Sequence, residues 1–134
     1  MLYVITGPPC VGKSTYVRQR ARPGEVVVDL DRIALSIVAE STPPHHYPGH
    51  VRRAAMTMRK TAVRAALEAC RAADAYIIHA KPSRQARGLY AAHGAEFVEL
   101  TETRDVLLAR ARAERPPHIQ QLLERWATDP TEYM

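Results

Sequence analysis

One stretch near the N-terminus constrains the fold more than any other: residues 7–14 read Gly-Pro-Pro-Cys-Val-Gly-Lys-Ser. The preceding residues 2–6 form a short apolar run with β-branched side chains, which predicts a buried strand. The residues that follow, 13 to about 20, predict a helix that is broken by the Arg-Pro-Gly sequence at 22–24. A chain with this beginning is expected to continue as alternating strands and helices.

The rest of the chain continues the alternation. Further apolar runs predict strands at residues 25–29, 75–79 and 96–100. Helices are predicted at 31–40, 51–73, 82–93, 103–114 and 118–127, with a proline-rich loop at 41–50. The apolar residues at 26–28 are continuous rather than alternating, as expected when both faces of the sheet are covered. We therefore predict one domain, residues 1–134, with an α/β three-layer fold: about four parallel strands and helices on both faces.

The glycine loop matches the pattern Gly-x-x-x-x-Gly-Lys-Ser in the strand-to-helix context that a phosphate-binding P-loop requires. Gly7 and Gly12 allow backbone angles and close approaches that a side chain would prevent. Lys13 is predicted to contact the β- and γ-phosphates of ATP or GTP, and the Ser14 hydroxyl to ligate Mg²⁺. The alternative is a glycine-rich turn without a ligand. The predicted nucleotide-binding residues are Gly7, Pro8, Pro9, Cys10, Val11, Gly12, Lys13, Ser14 and Thr15.

Two carboxylates follow the second predicted strand, in the sequence Asp29-Leu30-Asp31. In parallel α/β folds ligands bind beyond the carboxyl ends of the strands, so both side chains are expected near the phosphates. A carboxylate at this edge can take a proton from an attacking hydroxyl or hold the waters of Mg²⁺, so both Asp29 and Asp31 are candidates for this chemistry. The alternative is structural: Asp31 caps a helix and Asp29 is a solvated strand end.

Taken together, residues 7–15, the strand with Asp31 and residues 36–39 resemble the kinase domain of the polynucleotide 5′-kinase group of P-loop kinases. Residues 107–117 and the following helix also resemble that group, in which a lid bearing arginines precedes a proline and a final helix. The resemblance implies that Asp31 is the general base. It also implies that Arg110 and Arg115, with Arg112 as a further nucleotide-binding residue, steady the transferring phosphoryl group. The alternative for these arginines is a solvated helix face.

Two positions depart from that group. An arginine three residues after the base aspartate is replaced by Ala34, for which Arg32 is a substitute only if the helix start is rotated. The third strand ends at residues 77–81, Ile-Ile-His-Ala-Lys, without an acidic residue at its tip, so Mg²⁺ is expected to depend on Ser14, on waters and on Asp29. Both departures leave the phosphate acceptor open.

Several weaker features remain. His45, His46 and His50 share one loop, which is either a metal site or a mobile loop that covers the substrate, although their spacing fits no zinc pattern. His79, at a strand tip, is either a site residue or a buried, hydrogen-bonded histidine. Cys10 is either a variable loop position or a redox sensor. A basic face for a nucleic-acid backbone, or simply a solvated face, is predicted from Arg52, Arg53, Arg59, Lys60 and Arg64. Core positions are predicted for Met56, Met58 and Trp126.

Composition adds limited constraints. The formal charge of +5 is carried mostly by arginine, which suits an anionic ligand but also fits an Ala/Arg-rich coding bias. No apolar run approaches the roughly 20 residues that span a bilayer. The two cysteines form no disulfide framework, so we expect a cytoplasmic protein without a membrane partner.

Three functions are compatible with these features. The first is transfer of the ATP γ-phosphate to a nucleoside, a nucleotide or a polynucleotide 5′ end. The second is a small-molecule kinase acting on a sugar, a shikimate-like acid or an antibiotic. The third is a slow ATPase or nucleotide-binding module. The missing carboxylate at the third strand favours the module, whereas Asp31 and the arginines favour a kinase.

Overall fold

The computed structural model describes residues 1–128. Its elements, in chain order, are β1 (Leu2–Thr6), α1 (Lys13–Arg20), β2 (Val26–Val28), α2 (Leu30–Ile37), α3 (Gly49–Ala69), β3 (Ala75–Ile78), α4 (Arg84–Ala92), β4 (Glu96–Glu99), α5 (Arg104–Glu114) and α6 (Pro117–Thr128). None of the helices in this part of the chain is long and apolar enough to cross a membrane.

The strands form one parallel sheet in the order β2-β3-β1-β4. All four side chains of the inner strand β3 are buried, whereas the edge strand β4 exposes Glu96 and Glu99. Continuous apolar sequence in the inner strands follows from burial on both faces. The sheet and its helices confirm the predicted α/β fold.

The two faces of the sheet carry separate cores. On one face, Val4 and Ile77 pack with Val63 of α3 and Tyr90 of α4. On the other, Ile5 and Ile78 belong to a cluster with Val17 of α1. This three-layer packing fixes the directions of the strand ends.

The carboxyl ends of the strands meet around the loop that follows β1. The Gly7 N–H donates to the Ala80 carbonyl after β3 at 3.0 Å, and the Leu100 N–H after β4 donates to the Thr6 carbonyl at 2.9 Å. From β1 the chain passes to β2 on one side, while β4 lies on the other side. A crevice is expected at such a reversal of strand order, and ligands bind there in open α/β sheets.

The alternative that Asp31 caps the second helix is wrong, because Asp29 caps it. The Asp29 carboxylate accepts a hydrogen bond from the Asp31 N–H at 3.0 Å, and the extended backbone of Asp29 marks it as the cap. The helix therefore begins at Leu30 and ends at Ile37, three residues before the predicted end, because Val38 is extended.

The long helix α3 also differs from its prediction. It begins two residues early, because the Pro48 carbonyl accepts from the N–H groups of Val51 and Arg52. The predicted core residues Met56 and Met58 are exposed. Arg59, predicted on a basic outer face, is buried instead.

Candidate functional site

The loop between β1 and α1 has the backbone that its glycines permit. Gly7 has a φ of 141°, and a Cβ there would lie 2.6 Å from the Leu100 carbonyl oxygen. Gly12 has a φ of 100° but open space around it, so it is needed for its conformation and not for room. Cys10 also adopts a left-handed conformation, with a φ of 67°. The loop thus curves back over the sheet edge, and a side chain at position 7 would prevent this shape.

Lys13 lies inside this curve. Its Nζ donates to the carbonyl oxygens of Gly7 and Pro8, both at 2.8 Å. Burial lowers the pKa of the Lys13 amine to about 8, and the nearby charge of Arg115 also lowers it. Cys10, Asp31 and Asp29 act in the opposite direction and raise it. The ammonium is therefore held at the centre of the loop by carbonyl oxygens, where nearby negative charge does not compensate for its burial.

The N-terminus of α1 supplies further donors. No side chain caps this helix, and the N–H groups of its first turn at Lys13, Ser14 and Thr15 have no backbone partner among residues 1–128. Such amides, together with the helix dipole, favour an anion. The loop residues fit a triphosphate for this reason.

Ser14 and Asp29 form the best-defined polar pair of the site. The Ser14 hydroxyl donates to Asp29 Oδ2 at 2.8 Å, while Asp29 Oδ1 accepts the capping bond from Asp31. Asp29 is only 6% exposed, so its carboxylate is fixed in position. A hydroxyl and a carboxylate are hard oxygen donors of the kind Mg²⁺ takes when phosphates supply the remaining ligands. Residues 1–128 contain no cluster of three or more metal-ligating side chains that would suggest a protein-only metal site.

Asp31 is the second residue of α2 and lies in its first turn, and its carboxylate does not cap the helix. Its Oδ2 is 3.2 Å from Nδ1 of His45, and the Asp31 side chain is 45% exposed. His45 has a left-handed backbone, with a φ of 66°, an uncommon conformation that brings the loop onto the carboxylate. The contact joins residues fourteen positions apart and had no signal in the sequence.

Tyr47 of the same loop also lies near the carboxylates of Asp31 and Asp29. Burial raises the pKa of Tyr47, the His45 backbone offsets part of this, and the charges of Asp31 and Asp29 raise it further. The loop therefore agrees with the substrate-covering alternative. Burial lowers the pKa of His118 on α6, and the nearby Arg52 and His46 lower it further.

The predicted lid arginines divide into two groups. Arg110 Nη1 donates to the Cys10 carbonyl at 2.9 Å, and its Nη2 is 4.0 Å from Glu102. Arg115 has a largely covered side chain near Lys13, paired with Glu114 at 3.5 Å. Arg112 is exposed and makes no hydrogen bond or ion pair with residues 1–128. Positions 110 and 112 are about 200° apart around a helix, so only one of them can face the loop.

The helices that carry these arginines pack directly on the loop. Leu107, Ala111 and Leu123 form a small core that contacts Cys10 and Val11. Burial raises the pKa of the Cys10 thiol, although the charges of Arg115, Lys13 and Arg110 lower it. A protonated, packed thiol agrees with a variable loop position and not with a redox sensor.

A cleft opens on the β4 side of the loop. Its walls include Pro8, Leu100, Leu107, Leu123 and Trp126. Of the remaining loop residues, Pro9 is half-buried and Thr15 is exposed, with its hydroxyl accepting from Arg18 at 3.2 Å.

A second polar cluster lies at the end of β3, opposite this cleft. Arg59 of α3 donates to the Ile78 carbonyl at 3.2 Å, and His79 Nδ1 is 2.9 Å from the Tyr90 hydroxyl. Burial lowers the pKa of His79 to about 4, with smaller contributions from Arg59 and Arg87. His79 is thus a hydrogen-bonded, neutral histidine. Arg59 was missed as a site residue, although its spacing of four from the apolar Ala55 and Val63 places it on the buried stripe.

No known protein family and no curated protein matches this sequence. Among solved structures, a presumed kinase from Chloroflexus aurantiacus has a similar fold, with a TM-score of 0.62. The similarity covers 91% of this chain and 76% of that chain at 14% identity. At this identity the likeness is one of fold, and that fold is the α/β architecture described above.

Proposed function

We propose that this protein is a Mg²⁺-dependent phosphotransferase that moves the γ-phosphoryl group of ATP or GTP to an acceptor held over the ends of β2 and β3. The observation that supports this most is the difference between Asp29 and Asp31. Asp29 is buried, bonded to Ser14 and used as a helix cap, whereas Asp31 is half-exposed and not used for capping. A phosphotransferase uses both kinds of carboxylate, one beside the metal and one free to accept a proton.

The donor would bind on the loop after β1. Lys13 would bring its charge to the β- and γ-phosphates, and the free amides of α1 would donate to their oxygens. Ser14 and Asp29 would hold Mg²⁺, which when bound neutralises charge on the phosphates. The cleft that starts at Pro8 offers apolar walls to the base of the nucleotide.

The acceptor would lie on the other side of the loop, near Asp31. The Asp31 carboxylate would take the proton from the acceptor hydroxyl as its oxygen attacks the γ-phosphorus. The bond from that phosphorus to the bridging oxygen then breaks, and the nucleoside diphosphate leaves. The contact with His45 would keep the carboxylate oriented. Loop residues near Tyr47 would exclude water, which limits hydrolysis of the donor.

Arg110 and Arg115 would stabilise the negative charge on the transferring group, since both lie beside the loop. Arg112 would have to turn towards the nucleotide, so the geometry supports its role less. The likeness in fold to a presumed kinase supports a kinase in general terms. For the acceptor we retain a nucleoside, a nucleotide or a polynucleotide 5′ end, as the resemblance to polynucleotide 5′-kinases implies. The second class is a sugar, a shikimate-like acid or an antibiotic.

One observation favours a nucleotide-binding or slow ATPase module as a second candidate. The segment after β3, residues 79–81, carries no carboxylate, and two of its neighbours are the cations Arg59 and Arg87. Such a module would hydrolyse ATP at a rate that no acceptor changes.

The test is transfer of label from γ-³²P-ATP or γ-³²P-GTP, with Mg²⁺, to a panel of acceptors from both classes. At least one acceptor should become labelled. Asp31→Asn should lower that transfer about 10²–10⁴-fold, because a general base is lost. It should leave affinity for the nucleotide nearly unchanged, because the donor is held by other residues.

Asp105→Asn is the matched control, since Asp105 also lies in the first turn of a helix but is exposed on α5. It should transfer phosphate at the wild-type rate. If no acceptor is labelled and Asp31→Asn hydrolyses ATP like the wild type, the ATPase module is the better account.

A further inference from the structure

Arg59 is a cation that the fold buries. Its side chain comes from the middle of α3, and the residue is only 9% exposed. One hydrogen bond fixes it, from Nη2 to the Ile78 carbonyl oxygen at 3.2 Å. Within residues 1–128 no carboxylate lies within 4.0 Å of its guanidinium.

This arrangement is unfavourable for stability alone. A guanidinium has five N–H donors and keeps its charge at any ordinary pH. Burying such a charge carries a penalty that is normally offset by a carboxylate or by several hydrogen bonds. One carbonyl oxygen offsets little of it, so the site is suited to an anion that arrives with a ligand.

The position of Arg59 places this anion site on the acceptor side. Ile78 is the last residue of β3 and pairs with Ile5, which leads into the phosphate loop. On the other side, Ile77 pairs with Val28, so the next residue, Asp29, lies about one strand spacing of 4.8 Å from Ile78. Arg59 therefore reaches the sheet edge between the phosphate loop and the end of β2.

His79 and Tyr90, at the end of β3 and on α4, do not neutralise the charge of Arg59. His79 carries no charge at neutral pH, because burial and then Arg59 and Arg87 lower its pKa to about 4. Tyr90 contributes a hydroxyl, paired with His79. The cluster offers an incoming anion one buried cation, a second cation from α4 and neutral hydrogen-bonding groups.

We propose that Arg59 binds an anionic group of the acceptor, so that the acceptor is a small molecule carrying a phosphate or a carboxylate besides the group that receives the phosphoryl. This rests on the proposed function. The depth of Arg59 favours a small molecule over a polynucleotide.

The first experiment compares the stability of Arg59→Met with that of Arg64→Met, an exposed arginine of the same helix. Methionine keeps most of the buried stem but removes the charge. Arg59→Met should be as stable as the wild type or more stable, because an unpaired buried charge is lost. A marked loss of thermal stability would assign Arg59 a purely structural role and overturn the proposal.

The second experiment measures binding of inorganic phosphate by calorimetry while a non-hydrolysable ATP analogue with Mg²⁺ saturates the loop. Wild type and Arg64→Met should bind one additional phosphate, and Arg59→Met should bind it roughly 10- to 100-fold more weakly, as expected for a lost charge-assisted hydrogen bond. Arg59→Lys keeps the charge but not the paired N–H donors of the guanidinium, so its affinity for phosphate should be intermediate. Equal binding by all variants would refute the subsite, whether or not the protein is a kinase.

The third experiment uses the transfer assay with matched acceptors: neutral nucleosides and sugars, their monophosphates, hydroxy acids and 5′-hydroxyl oligonucleotides. We expect Arg59→Met to lower kcat/KM roughly 10- to 100-fold for the small anionic acceptors and not for the neutral ones. The phosphate and carboxylate arms identify which anion is used. Preference for neutral acceptors or oligonucleotides would contradict the inference while leaving phosphotransfer intact.

Discussion

Acidification should destabilise the folded protein through His79. Its pKa is lowered to about 4 in the folded state by burial, Arg59 and Arg87, whereas an unfolded chain has the ordinary value near 6.5. Above pH 6.5 the histidine is neutral in both states and its contribution to stability is complete. As the pH falls from 6.5 towards 4, the unfolded chain gains a proton that the folded protein does not, so stability is lost over that window.

The magnitude follows from the difference in pKa. A pH of 5 is about 1.5 units below the pKa of the unfolded side chain. At about 1.36 kcal/mol per unit, this corresponds to a loss of about 2 kcal/mol in the free energy of unfolding. The imidazole is only partly buried, so solvent screening reduces this to about 1 kcal/mol. His79→Gln should remove that share of the pH dependence while leaving a polar partner for the Tyr90 hydroxyl.

Urea unfolding followed by circular dichroism at pH 7, 6 and 5 measures the effect for the wild type, His79→Gln and His50→Gln. His50 is exposed in the first turn of α3 and serves as the control. We expect the free energy of unfolding to fall less steeply with pH for His79→Gln than for the other two proteins. Equal slopes for all three, or a wild type that gains stability on acidification, would refute the reasoning.

Three further predictions test the loop and the lid. Gly7→Ala should cost about 2–4 kcal/mol of stability, since it combines a φ of 141° with a Cβ 2.6 Å from a carbonyl oxygen. Gly12→Ala should cost only about 1–2 kcal/mol, because there is open space around it. Equal losses in urea unfolding would contradict this difference. Ser14→Ala should raise the Mg²⁺ concentration needed for half-maximal transfer, and an unchanged Mg²⁺ titration would exclude Ser14 as a ligand. Arg110→Ala should slow transfer by orders of magnitude and Arg112→Ala only slightly, whereas equal rates would remove Arg110 from the site.

Much of the fold could be predicted because it depends on local patterns. The glycine loop, the apolar runs and the breaks at proline and glycine placed each strand within a residue or two of its position. The Ser14–Asp29 pair was also within reach, because both follow strands that end at the same edge of the sheet. The choice between Asp29 and Asp31 as the cap was less certain, since either residue suits a helix N-terminus.

The acceptor side could not be predicted, because it depends on contacts between distant segments. The bond from His45 to Asp31 needs a left-handed loop residue that no local pattern specifies. On α3 the apolar Met56 and Met58 suggested a buried face, yet α3 turns them outward and buries Arg59. Small alanines on several sides of α3 leave its buried stripe poorly defined in the sequence.

Titration calorimetry with ATP and Mg²⁺ tests the central claim most directly, using the wild type, Lys13→Ala and the exposed surface variant Arg71→Ala. We expect the wild type and Arg71→Ala to bind one nucleotide per chain. Lys13→Ala should bind it at least about 100-fold more weakly, because a charge held at the centre of the loop is lost. Equal affinity in all three proteins, or no binding by the wild type, would contradict a phosphate-binding loop.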